Sequence, residues 1–554
     1  MKNAFLHKII LTLILATVTW CASYAQPNAS YLSHDGVMRY YRLALPVTNT
    51  CFHASFESDN TEVYDFWNEA EDFLNKLYLP LNICIEVIHD DRMILTSQNS
   101  IDRYPIDACA WGTEYINDII GEKNYDLGLW ISEPADFDNS GVSILGGAYN
   151  KSTKGSGYAQ KNVITIAHEL GHLFGAVHTH DEGAATEPGM GQSVMGYGSP
   201  SDFFSLASIH AIFQMSQQLN SAYYSDEART TLVGTNNGGN YVFGKKATDN
   251  RVPKIDATML KTHYTIPQGC CFAINIPATD ADNDRITYAF QQYEDGASFC
   301  AYTPSESSII DFHPRYTLFP FDDFLFINDG TDVPSLMPGT YRFIASANDL
   351  PSANEMTVAM QKQRPFVSQY TTFNTEVEII SGTPFTATLS PNKLKYEAGE
   401  TIKISWGVNN NYFTSSSRLR ICLSDDYGQT FKYILAENIP ALNGSCSVKL
   451  PNINFDAIEI SFGGGTKGVR PGIIRIEVEG DIAYTLSSYS PEDSDARGGF
   501  TMTGGTPSDI TSISNNKNSS STLYNLNGTI ATFPQLPKGI YIQQGKKVWK
   551  DNKR

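Results

Sequence analysis

None of the nine cysteines in this chain of 554 residues stands at C-x-x-C spacing. That removes thiolate zinc sites and dithiol redox motifs from consideration. Positive charge is scarce as well: 40 Lys and Arg stand against 59 Asp and Glu, a formal charge of −19. So acidic a chain is a poor partner for nucleic acid or an anionic membrane surface, and neither is expected. Beyond the N-terminal region no apolar run approaches the about 20 residues of a membrane span, so no transmembrane segment is expected. No convincing tandem repeat is present. Hydrophobic content of 41% and charged content of 18% are globular values. A length of 554 residues suggests three or four domains at about 150 residues each.

The N-terminus is built like a secretory signal. Lys2 and Lys8 lead into the apolar run IILTLILATV, and the small residues of SYA end at Ala25, before Gln26. The run is too short for a span, so residues 1–25 are expected to be a cleaved signal peptide, followed by a short N-terminal segment, 26–35. A lipoprotein alternative at Cys21 fits poorly, because Trp20 stands where a small residue is needed. Export permits disulfides among the remaining cysteines. Cys422 and Cys446 are the expected pair, both lying in strand-like runs of one region.

Residues 36–228 mix helical and strand periodicity and read as an α+β domain. MRYYRLALPV, LNICIEVI and YDLGLWIS read as strands, and Ser140–Tyr149 as a glycine-flanked edge strand. A helix capped from Asp59 to Thr61 carries Val63, Phe66, Ala70, Phe73, Leu74 and Leu77 on one face. TEYINDII, the segment around HELGH, and FSLASIHAIFQMSQQL are three further helices. After the linker TTLVGTNNGGN helix periodicity fades. Residues 246–380 and 384–485 then read as two β-sandwiches, and 506–554, after a second linker, as a small β unit.

The segment HELGHLFGAVHTH, 168–180, carries the chemistry. His168 and His172 are four apart, so on a helix their imidazoles share one face and one cation. His178 lies ten residues beyond His168, about 15 Å along a continuous helix, and can join them only if the helix ends and the chain turns back. Gly175 stands where that reversal must occur, and glycine accepts the left-handed conformation it needs. Zinc suits three imidazoles with one position open. Glu169, beside the first ligand, is placed to take a proton from water and pass it to a leaving amine. His180, two residues past the third ligand, reads as a solvent-exposed or outer residue of a loop.

Downstream stands SVMGYG, Ser193–Gly198. The extended histidine motif followed by this Met-containing turn resembles the metzincin clan of zinc endopeptidases. YRLAL, EPGMGQSVMGYG and FFSLASIHAI narrow the resemblance to the reprolysin-like (adamalysin-related) proteases of bacteria. The resemblance implies a zinc metalloendopeptidase with His168, His172 and His178 as ligands, Glu169 as general base and Met195 as an apolar floor beneath the imidazoles. Met195-Gly196-Tyr197 also matches the spacing of astacins and serralysins, which implies Tyr197 as a fifth ligand or oxyanion stabiliser. Protein or peptide substrates would add as a strand to the edge at Ser140–Tyr149, with 198–204 as a pocket wall.

The flanking regions add context. Asp280, Asp282 and Asp284 alternate in TDADNDRITY, as in cadherin-like calcium sites or an Asp/Asn turn between strands. The regions 246–380 and 384–485 resemble the cadherin-like and immunoglobulin-like modules of bacterial reprolysin-like proteins. The tail, LYNLNGTI to KGIYIQQGKKVWK, resembles the sorting domain of the type IX secretion system. That implies the secretion machinery as a partner, and a protein released from, or held at, the outer surface of a Gram-negative bacterium. Asp35 is a weak candidate to cap the metal in a latent form. The alternative to a protease is a surface adhesin whose sandwiches act and whose metal domain is vestigial.

Overall fold

The computed structural model describes residues 31–507 apart from gaps, the longer being 134–139, 223–230, 235–240, 313–337, 351–365 and 488–498. Beyond 507 it describes three strands within 523–550. The expected signal peptide and much of the expected sorting domain lie outside the described residues. The chain forms two compact units: 1–262 with 276–308 and 342–375, and 263–275 with 309–341 and 376–554. Residues 246–380 thus contribute to both.

The first unit is mixed α/β. Its central strand β1 (Val37–Ala44) is buried almost throughout, as a strand covered on both faces must be. β2 (Ile83–Val87) pairs with it in parallel on one side and β3 (Leu127–Gly128) on the other. The chain runs on from β3 into β4 (Trp130–Ile131), which pairs in parallel with β6 (Gly157–Ala159). Between these in sequence comes β5 (Gly141–Ser143), antiparallel to β6 and at the edge of that sheet.

Among the described residues of this unit are six α-helices: α1 (Asn49–Ser55), α2 (Asn60–Tyr78), α3 (Ser100–Arg103), α4 (Ala108–Ile120), α5 (Val163–Leu173) and α6 (Leu206–Gln218). α2 begins where the Asp59 carboxylate accepts the Thr61 N–H at 2.8 Å. Val63, Phe66, Ala70, Leu74 and Leu77 are buried as the periodicity requires, with Phe73 partly covered at the margin. Each of Val63, Phe66, Leu74 and Leu77, moved from water to the core, contributes about 1.5–3 kcal/mol. Polar contacts then fix the register: Asn75 exchanges hydrogen bonds with the Ile85 backbone at 2.7 and 2.9 Å, and the Tyr78 hydroxyl donates to Ala167 O of α5 at 2.8 Å.

The edge strand is shorter than the sequence reading. Strand pairing is confined to Gly141–Ser143, because Gly146 adopts φ 70° and turns the chain into a short 3₁₀ turn, Gly147–Tyr149. Glycine pays no Cβ penalty there, so the reversal wins over continued pairing.

The region that follows is largely β. Among the described residues no α-helix follows Gln218. The largest sheet of the second unit has six strands, among them Cys271–Asn275, Arg418–Ser424 and Ile473–Val478. The expected Cys422–Cys446 disulfide is not formed. Both thiols are free, and their strands, Arg418–Ser424 and Ser445–Lys449, lie in different sheets. No helix of the described residues is long and apolar enough to cross a membrane.

Candidate metal centre and active site

α5 starts at Asn162, whose side-chain oxygen accepts the Ile164 and Thr165 N–H groups at 2.8 and 3.3 Å. Ile166, Ala167, Leu170 and Leu173 face the core. Gly175, at φ 86°, ends the helix. Its N–H donates to His172 O at 2.8 Å and the Ala176 N–H to Gly171 O at 2.9 Å, closing the last turn on itself. The chain folds back, and His178 meets the two helical histidines.

The three Nε2 atoms lie 3.1, 3.1 and 3.2 Å from one another. Each ring's other nitrogen faces an acceptor: His168 Nδ1 the Val194 carbonyl at 2.7 Å, His172 Nδ1 the Ala176 carbonyl at 2.8 Å, His178 Nδ1 an Asp181 carboxylate oxygen at 2.9 Å. These acceptors hold the ring proton on Nδ1, so three Nε2 lone pairs point at one another. Lone pairs that converge repel unless a cation lies among them, and the separations suit zinc–nitrogen bonds of about 2.0–2.1 Å. Burial lowers His168 to about 4 and His172 to about 3, which leaves both as neutral imidazoles, the form that binds metal. The donor set fits zinc.

Met195 is fully buried and packs against Gly171, the neighbour of His172, so closely that a side chain there would collide with its sulfur. That explains the glycine inside the histidine motif, where helix propensity alone argues against it. The Thr179 N–H donates to Met195 O at 3.2 Å, which ties the segment after His178 to the turn. Tyr197 is 57% exposed, and its hydroxyl lies 3.0 Å from His178 Nε2.

Glu169 lies on α5 against β5 and is buried, and its Oε2 has no hydrogen-bond partner among the described residues. Burial pushes its carboxyl up to about 8. The Ser143 hydroxyl donates to the Glu169 backbone carbonyl at 2.8 Å and so holds β5 against the helix. A buried carboxyl with one oxygen left unsatisfied is costly in a purely structural role and is poised to handle a proton.

Other candidates resolve differently. Of the two readings of His180, solvent-exposed or outer residue, the structure gives the second: its ring stacks on His178 at 5.2 Å and sits 4.5 Å from the Tyr197 ring, with Nδ1 buried and unpartnered among the described residues. Asp35 is paired with Arg39 at 2.5 Å and is not part of the histidine cluster. The carboxylates of Asp280, Asp282 and Asp284 lie within 4.8 Å of one another. Asp280 accepts the Asp282 and Asp284 N–H groups at 2.7 and 3.1 Å, and Asp282 pairs with Arg251 at 2.6 Å. These hydrogen bonds are those of a turn closed by its own aspartate. The sequence reading passed over Asp181 and Glu187. The first had a signal, an acid three residues past His178; the second had none.

Residues 50–222 match the family model described as Metallo-peptidase family M12B Reprolysin-like. The chain is also similar to the disintegrin and metalloproteinase domain-containing protein adm-2 of Caenorhabditis elegans, at 30% identity over 164 residues, which is 27% of this chain. The match spans 17% of that relative's length. Among solved structures, it is similar to a chaperone–substrate complex (13% identity, 32% of this chain and 35% of that one, TM-score 0.25). It is also similar to Drosophila N-cadherin EC1-4 (12% identity, 47% and 55% covered, TM-score 0.15), and overlaps this loose bear no weight. Over residues 50–222 the chain carries a reprolysin-like metallopeptidase domain of the M12B type.

Proposed function

We propose that the protein is a secreted zinc-dependent endopeptidase that hydrolyses peptide bonds of extracellular proteins. The observation that carries this reading is the convergence of three Nε2 lone pairs within 3.2 Å, beside a buried carboxyl, on the helix of the first two histidines, with one oxygen unsatisfied. His168, His172 and His178 would hold the metal. Zinc bound there supplies a Lewis acid that polarises the scissile carbonyl and acidifies water. Glu169 takes the proton of the attacking water and returns it to the amine nitrogen of the departing peptide. The Tyr197 hydroxyl, exposed and beside His178, donates to the carbonyl oxygen as negative charge develops on it. β5, at its sheet edge, accepts the substrate as an added strand.

Secretion rests on the signal-like residues 1–25, and transfer to the surface of a Gram-negative bacterium on the resemblance of 506–554 to a sorting domain. In this reading 246–380 and 384–485 are accessory β modules of an enzyme whose catalytic domain is 36–228. The experiment is cleavage of an unstructured protein by purified wild type, by wild type with a zinc chelator, and by Glu169→Ala. Cleavage by wild type alone is expected. Zinc binding with no cleavage by any sample would sink the protease assignment, and an active Glu169→Ala would remove Glu169 from its role.

A further inference from the structure

We infer that Glu187 is a positioning residue that orients two of the three imidazoles, His168 and His178, through the turn at 192–195. The inference rests on the zinc reading above and adds to it a residue outside the histidine motif.

Glu187 is 1% exposed, and its carboxylate takes three donors from two consecutive residues. The Gln192 N–H reaches Oε1 at 3.0 Å, the Ser193 N–H lies 3.3 Å from Oε1, and the Ser193 hydroxyl donates to Oε2 at 2.5 Å. All are donors, so the site is built for the ionised carboxylate although burial raises its pKa. The carbonyl of the next residue, Val194, is the one that accepts His168 Nδ1–H at 2.7 Å. In this way the carboxylate fixes the peptide that aims the first imidazole.

The other arm starts from the same residue. The Glu187 N–H donates to Thr179 O at 2.9 Å, and the Thr179 N–H to Met195 O at 3.2 Å. Thr179 follows His178 directly. Glu187 therefore joins, through its backbone and side chain, the peptide after the third histidine to the turn beneath the first. Glycines make room for it: a Cβ on Gly191 would come within 3.2 Å of Glu187 Oε2, and Gly191 itself has φ 70°. A carboxylate that merely braced a surface loop would not need to be buried with its donors drawn from the residues that carry the site.

The test uses the full chain, stripped of metal and titrated with zinc against a chromophoric chelator, and in parallel loaded with cobalt(II) for its visible absorption. Glu187→Gln puts an N–H₂ where only donors point, and Ser193→Ala removes one donor while keeping the backbone. We expect Glu187→Gln to weaken zinc binding ten- to hundred-fold, as loss of an outer-shell partner does, and to shift the cobalt bands. In zinc-saturated Glu187→Gln, kcat falls with KM unchanged. Ser193→Ala shows the same changes to a smaller degree. A lower Tm with wild-type zinc affinity and cobalt spectrum would overturn the inference, leaving Glu187 as a brace of the loop. If Glu187→Gln does not fold, Ser193→Ala decides, and unaltered affinity there overturns it. A wild type that takes up no stoichiometric zinc sinks the metalloprotease reading and this inference with it, whereas one that binds and cuts beside unaffected variants sinks this inference alone.

Discussion

A Cβ on Gly141 would meet Glu169 Oε1 at 2.6 Å and Thr165 Cγ2 at 2.9 Å. The bare backbone of β5 is what lets the Glu169 carboxylate lie against the edge strand. Gly141→Ala is therefore expected to displace that carboxylate and lower kcat about 10²-fold, the cost of roughly 1 Å of misplacement, with zinc content unchanged. Equal turnover of the variant and wild type would show that the carboxylate has room to spare. Asp181 makes a separate prediction. As Asn it still accepts from His178 Nδ1, but without charge, so zinc should be held more weakly by about ten-fold and dissociate faster into a chelator. Both residues bear on how the site reads from sequence. The histidines and Glu169 were legible because helical spacing is a local property. Gly171 and Gly141 were not, because their reasons are Met195 and Glu169, partners 24 and 28 residues away.

At the scale of elements, the helices carried the clearest sequence signals. α2, α5 and α6 fall where apolar periodicity places them, since 3.6-residue spacing on one face needs only a core to pack against, whereas α4 starts at Ala108, five residues before the Thr113 read from sequence, and the short α1 and α3 were not read. The edge strand was overextended, because alternation continues past Ser143 while Gly146 does not. The end of α5 tests the turn most directly. At φ 86° an alanine in place of Gly175 costs about 1–2 kcal/mol, and its Cβ would also press on the Met215 methyl at 3.1 Å. Gly175→Ala should lower Tm and weaken zinc affinity together, because His178 reaches the cluster only through that reversal. A fall in Tm without any change in affinity would show that His178 is placed by the loop after it instead.

For the whole molecule, metal and pH supply the tests. A ligand that binds only the folded state stabilises it by mass action, so a chelator should lower the unfolding temperature of the first unit and leave the transition of the second in place. Asp349, fully buried in the first unit, accepts the Gln369 N–H at 2.5 Å and the Asn250 side chain at 3.0 Å, and burial still pushes its carboxyl up to about 7. Its folded pKa is above its unfolded one, so the folded state binds the proton more tightly. Stability from this group falls as pH rises from about 4 to about 7 and is level above that. Asp349→Asn should flatten that part of the Tm–pH curve for the first unit, and a curve of unchanged slope would rule Asp349 out as its source.

What the sequence determined by itself is local: the helix faces, the spacing that puts His168 and His172 on one side, the glycine that lets the chain return, and the acidic balance. Such features need no knowledge of what lies across the fold, because backbone geometry converts spacing into direction. Tertiary structure decided the rest. It left Cys422 and Cys446 apart in separate sheets, gave Asp35 to Arg39, brought His180 against Tyr197, and set Glu187 under the turn that aims His168. Apart from the Asp35–Arg39 pair, which is only four residues apart, these placements depend on the packing of the whole core, and no periodicity records them.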